Sequence, residues 1–316
     1  FSDWSSDVCS SDLKYVKFTS FDNTILQAYV WDDVKMPKGV VQIVHGMAEH
    51  ARRYDDFAKF LNANGYIVFA DDHRAHGNTE KKNDIGYHAG DIYGDSVKDE
   101  LFITKYLSEK YALPVVFLGH SYGSFIGQRY LENDSDAVGV ILSGSARQPG
   151  VVVGAGKFFS NTITKMKGEQ AKGKFMDKVA FGSFNKPFKK EGHNFAWLSR
   201  DVDQVKKYCY DEQCGYVMSN NFYKCFMNGL SEVYKKENLA KVNKDRPIAI
   251  FSGEKDPVGG KNASNVKKLA EMYKGLGVKN VSIKIYKDCR HEILNELNNK
   301  EVYKDMLDAI NGFVGK

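Results

Sequence analysis

Residues 115–123 read Val-Val-Phe-Leu-Gly-His-Ser-Tyr-Gly, an apolar run followed by a G-x-S-x-G pentapeptide, and a helical pattern begins at Ser124. Strand, sharp turn and helix form the context in which this pentapeptide presents a serine hydroxyl at the edge of a sheet. Small residues at 119 and 123 are needed because the backbone turns tightly at Ser121. The stretch predicts an α/β fold with Ser121 as nucleophile, although two glycines around a serine also occur in ordinary loops.

A nucleophilic serine needs a general base and an acid that orients it, and the chain carries candidates in the order Ser, Asp, His. A buried-strand pattern, Pro-Ile-Ala-Ile-Phe, runs into a turn that contains Asp256. An alternating strand pattern at 281–286 is followed by a short loop that delivers His291. We predict His291 as the general base and Asp256 as the orienting acid, with Glu254 and Asp288 as rival loop carboxylates.

The donors of an oxyanion hole have candidates at two strand ends. Another buried-strand pattern, at 40–44, ends in His45-Gly46-Met47, where glycine lets the backbone approach a substrate carbonyl. We expect the backbone amides of Met47 and Tyr122 to stabilise the oxyanion.

Strand and helix patterns alternate between residues 40 and 143, which predicts crossover units and a mostly parallel sheet. Patterns at 15–20 and 25–31 precede them as an antiparallel entry pair. The alternation stops after Ser143 for about a hundred residues and resumes at Pro247, an interval too long for a structureless loop. The predicted helices lie near 51–64, 96–111 and 122–133, and the predicted strands between them lie near 66–71, 115–120 and 138–143.

Taken together, the motifs resemble the monoacylglycerol lipase and lysophospholipase group of the α/β-hydrolase superfamily. The resemblance covers essentially everything after residue 13. It implies an α/β-hydrolase fold, with a mostly parallel central sheet flanked by helices and a helical cap inserted between strands 6 and 7. It also implies a serine hydrolase with no cofactor and no metal, with Ser121, Asp256 and His291 as its triad. The matching motifs are His45-Gly46-Met47-Ala48-Glu49-His50 with Arg53-Tyr54, then Gly119 to Gly123, Ser252 to Pro257, and Arg290-His291-Glu292 with Leu294-Asn295-Glu296.

The resemblance also divides the chain. It implies a core formed by 14–146 and 243–316, and a cap domain at 147–242. Glu49 and Arg53 match residues that shape a polar pocket for a glycerol head group, although an acidic and a basic residue at the start of a helix are equally explained by local capping. In Asp72-His73-Arg74-Ala75-His76-Gly77, alanine stands where the family has glycine, so we expect a different backbone in that loop.

Aromatic residues and methionines are frequent in the predicted cap. We expect most of them to form its core and a subset to line an acyl channel, with Met218, Phe222 and Phe226 as first choices because their spacing places them on one helical face. Lysines between 165 and 190 make the segment basic, which favours either contact with an anionic membrane surface or a solvated face.

Composition excludes several classes of protein. The formal charge is +5, and no basic stripe with interleaved aromatics supports nucleic-acid binding. No apolar run approaches the roughly 18 residues of a membrane span. The five cysteines are odd in number and lack zinc spacing, which favours reduced thiols in a cytoplasmic setting.

Residues 1–13 look like translated sequencing-adapter sequence from an uncultured bacterium, and we exclude them from the fold.

The sequence therefore predicts a bacterial serine carboxylester hydrolase that forms an acyl-enzyme on Ser121. The resemblance makes monoacylglycerols or lysophospholipids the expected substrates. Two alternatives stay open. The same site could act on short-chain, aromatic or other non-lipid esters or transfer the acyl group to another acceptor, or the chain could be a hydrolase-fold binding protein without turnover. The sequence does not determine the oligomeric state.

Overall fold

The structure is a computed structural model that describes residues 13–315. The predicted adapter-derived segment, 1–13, lies outside the described residues except for Leu13.

One eight-stranded sheet organises the molecule. Its strands are β1 (Lys14–Thr19), β2 (Ile25–Trp31), β3 (Gly39–Val44), β4 (Tyr66–Asp71), β5 (Val115–His120), β6 (Ala137–Ser143), β7 (Ile248–Gly253) and β8 (Val281–Tyr286). They lie in the order β1-β2-β4-β3-β5-β6-β7-β8. The pairs β1·β2 and β2·β4 are antiparallel, and every other pair in the sheet is parallel. The predicted mostly parallel sheet is confirmed.

Helices cover both faces of this sheet. The core helices are α1 (Asp55–Ala63), α2 (Ile92–Tyr111), α3 (Tyr122–Tyr130), α9 (Ser264–Gly275) and α10 (Asn299–Val314). Apolar residues of α2, α3 and α9 share one buried cluster, and those of α1 and α10 share another on the opposite face. Strands buried on both sides in this way read as continuous apolar runs, which is why β3 and β5 stand out in the sequence.

Two helix starts differ from the sequence-based prediction. The helix predicted at 51–64 begins as a 3-10 turn, Ala51–Tyr54, before α1. The helix predicted from 96 begins at Ile92, because the side chain of Asp91 accepts a hydrogen bond from the amide of Gly94 and so caps the helix four residues earlier.

The chain between β6 and β7 is helical. It forms α4 (Gly150–Lys167), α5 (Lys174–Phe181), α6 (Val202–Tyr210), α7 (Asn220–Val233) and the short α8 (Lys236–Leu239). All five lie within 147–242, the range predicted as the cap, and its standing as a separate domain stays a prediction. Of the helices between residues 13 and 315, none is long and apolar enough to cross a membrane.

The loop around Ala75 keeps a backbone that favours glycine. Ala75 has φ +71°, in the left-handed region that residues with a side chain seldom adopt. The alanine therefore adopts a conformation that favours glycine, and the expected difference from the family's backbone stays a prediction.

Candidate active site

The turn at Ser121 holds a strained backbone between β5 and α3. Ser121 has φ +52° and ψ −117°, a combination that costs a non-glycine residue of order 1–3 kcal/mol. Its amide donates to the carbonyl oxygen of Ser143 at 2.9 Å. A Cβ atom on Gly119 would lie 2.4 Å from the carbonyl oxygen of Gly123, and one on Gly123 would lie 2.0 Å from that of Val44. Side chains are therefore excluded at both glycines.

Three side chains from different loops meet at this turn. His291 Nε2 lies 2.8 Å from Ser121 Oγ, and His291 Nδ1 lies 2.9 Å from Asp256 Oδ2. The other carboxylate oxygen of Asp256 accepts the amide of Val258 at 2.9 Å. Because a carboxylate only accepts, Nδ1 carries the proton and Nε2 is left to accept one from the serine hydroxyl. Of the rival carboxylates, Glu254 instead accepts the amide of Asp288.

The electrostatic surroundings make His291 more basic than a free imidazole. Burial alone would lower the pKa of His291, but the Asp256 carboxylate, reinforced by Glu292 and Glu49, raises it above the usual value. The ring of His120, centred 4.9 Å away, has the opposite behaviour. Burial and the neighbouring His291 lower the pKa of His120 to about 3. His291 is therefore the more basic of the two rings, and His120 stays neutral at neutral pH.

The loop after β3 passes close to the serine. A Cβ atom on Gly46 would lie 3.2 Å from Ser121 Cβ, so the glycine permits this approach. Met47 follows in the same loop and lines the cavity beside Ser121. Tyr122 is the first residue of α3, and the first amides of a helix have no intrahelical partner. Both predicted oxyanion donors thus lie in backbone next to the serine.

A buried ion-pair network joins the Gly46 loop to the loop that carries His291. Arg53 donates to Glu49, and it binds both carboxylate oxygens of Glu292 at 2.7 Å. Glu49 Oε1 also accepts the amide of Gly46 at 2.6 Å and the hydroxyl of Tyr54 at 2.9 Å. Burial would raise the pKa of Glu292, but Arg53 lowers it to about 2. Glu49 and Arg53 therefore belong to a network that joins two loops of the site, and their contact with a glycerol head group stays a prediction.

A stack of two histidines supports the end of β3, where the sequence favoured a structural role for His45 and assigned none to His73. The rings of His73 and His45 are stacked with centroids 3.8 Å apart. His73 Nδ1 lies 3.2 Å from Asp71 and 3.3 Å from Glu100, while its Nε2 lies 3.1 Å from the carbonyl oxygen of His45. Burial would lower the pKa of His73, but Asp71 and Glu100 raise it well above the usual value. A protonated His73 donates to the backbone from which the Gly46 loop departs.

A cavity of about 220 Å³ lies beside Ser121, between the core and the helical segment above it. Trp197 forms part of its wall and packs against His291, with ring centroids 4.9 Å apart. Nothing in the sequence distinguished Trp197 from the other aromatics of the segment. The larger apolar and aromatic side chains of the wall are Met47, Phe181, Phe195, Trp197, Leu198, Tyr208 and Tyr216.

The residues expected to line an acyl channel lie elsewhere. Met218 and Phe222 are fully buried, and Phe226 is 8% exposed. Phe222 and Phe226 pack against the ring of Tyr122, with centroids 4.9 and 5.2 Å away, and Phe226 also contacts Tyr93. Phe222 and Phe226 share one face of α7, as their spacing indicates, but that face packs α7 onto α2 and α3. Met218 precedes the first residue of α7, so the expectation that it shares this helical face was wrong. None of the three is among the residues lining the cavity beside Ser121.

Two groups of potential metal ligands occur among the described residues, although the sequence shows no ligand spacing. One is Asp71, His73 and Glu100, the buried network described above. The other is His50, Asp211 and Cys214. Each group combines two neighbouring residues with a third from a distant segment, so the sequence shows no complete ligand motif.

Comparison with known proteins places this geometry in a family. The family described as serine aminopeptidase, S33, matches residues 35–298. The chain is 28% identical to a protein of Mycolicibacterium smegmatis named monoacylglycerol lipase, over 89% of this chain and 91% of that protein. It is 26% identical to a monkeypox virus protein named monoglyceride lipase homolog, over 93% and 96% of the two chains.

Solved structures agree with this placement. A structure described as a lipase in its open form has a TM-score of 0.84 and 26% identity, covering 96% of this chain and all of the other. A thermostable carboxyl esterase from Bacillus coagulans, solved in complex with glycerol, has the same TM-score at 28% identity and the same coverage.

The contact chain from Ser121 through His291 to Asp256 predicts that the three residues act as a unit. Ser121→Ala and His291→Ala should each lower kcat by about a thousandfold or more, and the double variant should be little worse than either. Steady-state kinetics on a chromogenic butyrate ester measures this, with thermal melting as the control for folding. Near-normal turnover by either single variant would contradict the assignment.

The raised pKa of His291 predicts the pH dependence of the reaction. The base must be neutral to accept a proton, so kcat/KM should increase with pH, with its midpoint above the value of about 6.5 typical of histidine. Asp256→Asn removes the charge that raises this pKa. The variant should be slower, with a midpoint at lower pH, as read from pH–rate profiles of both proteins. A midpoint that does not move would show that Asp256 does not set the basicity of His291.

Proposed function

The chain is an α/β-hydrolase that belongs to the serine aminopeptidase S33 family, and on that premise we propose that it hydrolyses carboxylic esters, with monoacylglycerols as its substrate class. The observation that carries the proposal is the contact series in which His291 Nε2 lies 2.8 Å from Ser121 Oγ and His291 Nδ1 lies 2.9 Å from Asp256 Oδ2. Ser121 and His291 line a largely apolar cavity. The names of the two relatives, monoacylglycerol lipase and monoglyceride lipase homolog, support this choice of substrate.

In the proposed reaction, Ser121 Oγ attacks the ester carbonyl carbon while His291 Nε2 takes the hydroxyl proton. Asp256 holds the imidazole in the required tautomer and stabilises the imidazolium. The amides of Met47 and Tyr122 donate to the oxyanion. His291 returns the proton to the departing alkoxide, which leaves as the alcohol. Water then attacks the acyl-enzyme with His291 again as base, releasing the fatty acid and regenerating Ser121.

The polar part of the site favours a role in positioning for Glu49 and Arg53. The Arg53 guanidinium spans Glu49 and Glu292, and Glu49 already accepts from Gly46 and Tyr54. Their donors and acceptors are largely used within the protein. We therefore assign them to holding the Gly46 loop and the His291 loop at the correct separation, with a glycerol head group meeting only the cavity-facing edge of Glu49.

The size of the cavity limits the acyl chain. A volume of about 220 Å³ is below the roughly 300–1,000 Å³ of pockets that enclose drug-sized ligands. Medium chains therefore fit best, and longer ones need additional room. That room comes from local displacement of α5, whose last residue, Phe181, is only half-buried and forms part of the wall.

Two opposite substitutions at Phe181 test the cavity as the element that selects chain length. Phe181→Trp should lower kcat/KM for long-chain esters by about fifteenfold, since excluding two methylenes costs about 1.6 kcal/mol, and should leave acetate and butyrate esters within twofold. Phe181→Ala should shift the optimum towards longer chains. The measurement is kcat/KM across p-nitrophenyl esters of increasing length, followed by monoacylglycerols and lysophosphatidylcholine.

The matched control is Phe222→Ala. Phe222 is fully buried against Tyr122. Its truncation should lower the free energy of unfolding by about 3–5 kcal/mol and should change kcat/KM equally for esters of all chain lengths. A selective loss of activity on long-chain esters in Phe222→Ala would instead support the acyl channel predicted from the sequence. Activity confined to non-lipid esters would support the first alternative function. Failure of a fluorophosphonate probe to label Ser121 would support a binding protein without turnover.

We also propose that the protein is cytoplasmic and docks on anionic membrane surfaces through α4 and α5. These helices expose an apolar surface, which we call the cap patch: Val151, Val152, Phe158, Phe159, Met166, Phe175 and Val179. Exposed lysines at 165, 167, 174 and 178 lie on the same helices. An apolar surface bordered by lysines matches an interface with acidic lipid head groups, where each lysine contributes roughly 1 kcal/mol.

Vesicle binding tests the cap patch. The double variant Phe158→Ser/Phe159→Ser should bind vesicles of phosphatidylcholine and phosphatidylserine at least tenfold more weakly than wild type in a sedimentation assay, with unchanged turnover of a water-soluble butyrate ester. Leu297→Ser, which alters an exposed apolar side chain of the core, is the matched control and should bind normally. Equal vesicle binding by all three proteins would show that the cap patch does not contact the membrane.

A further inference from the structure

A second cluster of reactive side chains lies where the helical segment meets the loop after β3. It consists of His50, Asp211 and Cys214, whose candidate ligand atoms all lie within 4.8 Å of one another. His50 follows directly on the Gly46 loop, whereas the other two lie in the turn between α6 and α7. The ligands therefore come from two separate parts of the fold.

The side chains of the cluster are held in place by the surrounding structure. His50 Nε2 lies 2.8 Å from Asp211 Oδ2. Asp211 Oδ1 accepts the amide of Gln213 at 2.8 Å, and the carbonyl of Asp211 accepts the amide of Cys214 at 3.0 Å. His50 is 6% exposed, and its Nδ1 is buried without a hydrogen-bond partner. A buried imidazole nitrogen without a partner is uncommon in proteins and suggests an unfilled chemical role.

Charged groups of both signs lie around the cluster. Arg53, Glu49 and Glu292 lie near the thiol, and Arg52, Lys82 and Lys207 share a surface cavity with His50 and Asp211. Because a metal binds the thiolate form of cysteine, binding releases the thiol proton to solvent, and affinity should increase with pH.

We propose that His50, Asp211 and Cys214 form a binding site for one divalent cation of the zinc class. Imidazole nitrogen, carboxylate oxygen and thiolate sulfur are the three ligand types that Zn²⁺ takes in proteins, and three protein ligands leave the fourth tetrahedral position for water. Co²⁺ binds to the same ligand set and reports on it through the absorption of its thiolate bond.

The cation ties the helical segment to the core beside the proposed oxyanion hole. The amide of Gly215 donates to the carbonyl oxygen of Ala48 at 2.9 Å, and the hydroxyl of Tyr208 donates to the same oxygen at 3.1 Å. Ala48 lies between Met47 and the cluster in the chain. A metal bound one residue before Gly215 restrains this junction further.

Titration of the full-length, reduced protein with Co²⁺ tests the site. Wild type should bind one equivalent and show thiolate-to-cobalt charge-transfer absorption. Cys214→Ser should lose this absorption, and Asp211→Asn should keep it with at least tenfold weaker binding. Saturating Zn²⁺ should raise the Tm of wild type because it binds the folded state, and should not raise the Tm of Cys214→Ser.

Cys209→Ser is the matched control, because Cys209 is an exposed cysteine on α6 outside the cluster. It should behave as wild type in both measurements. Absorption that survives in Cys214→Ser, absorption that disappears in Cys209→Ser, or no absorption from wild type in hundredfold excess of Co²⁺ would each overturn the proposal. Should Cys214→Ser fail to fold, unchanged Co²⁺ affinity in Asp211→Asn would overturn it equally.

Discussion

The close contact between the Ser121 turn and the end of β3 is the constraint on which the rest of the site depends. A Cβ atom at Gly123 would lie 2.0 Å from the carbonyl oxygen of Val44. The first turn of α3 can therefore pack against the end of β3 only because residue 123 has no side chain. The same contact brings the Gly46 loop beside Ser121. The nucleophile and the amides proposed to receive the oxyanion are therefore positioned by one packing arrangement, and neither can shift without the other.

Electrostatics connects this arrangement to the base. Arg53 bridges Glu49, which holds the amide of Gly46, and Glu292, which directly follows His291. Removing one partner from a buried ion pair costs about 3–5 kcal/mol, because the remaining charges stay desolvated. The network therefore provides a strong restraint on the distance between two loops that are far apart in sequence. Since Glu292 and Glu49 also raise the pKa of His291, the same charges that brace the loops adjust the basicity of the imidazole.

The sequence predicted those features that depend on short segments, and missed those that depend on how distant segments pack. The parallel sheet followed from apolar runs such as 115–118, and Ser121, Asp256 and His291 were selected because each follows a strand pattern in the required order. Helical spacing correctly placed Phe222 and Phe226 on one face, but it carries no information on whether that face meets a cavity or a neighbouring helix. Trp197 and the His50 cluster had no local signal, because their partners lie in distant segments of the chain.

The contacts between the helical segment and the core limit how the cavity can enlarge. Phe222 and Phe226 fasten α7 to Tyr122, and Gly215 and Tyr208 bind to Ala48. A third set pairs the backbone of 197–198 with that of 291–292. Each set ends on a residue in or next to the proposed catalytic loops, so lifting the whole segment would disturb those loops. Room for a longer acyl chain must instead come from the rim of the cavity, where α5 carries half-buried side chains and fewer such attachments to the core. Substrate range can then change without displacing the residues that perform the chemistry.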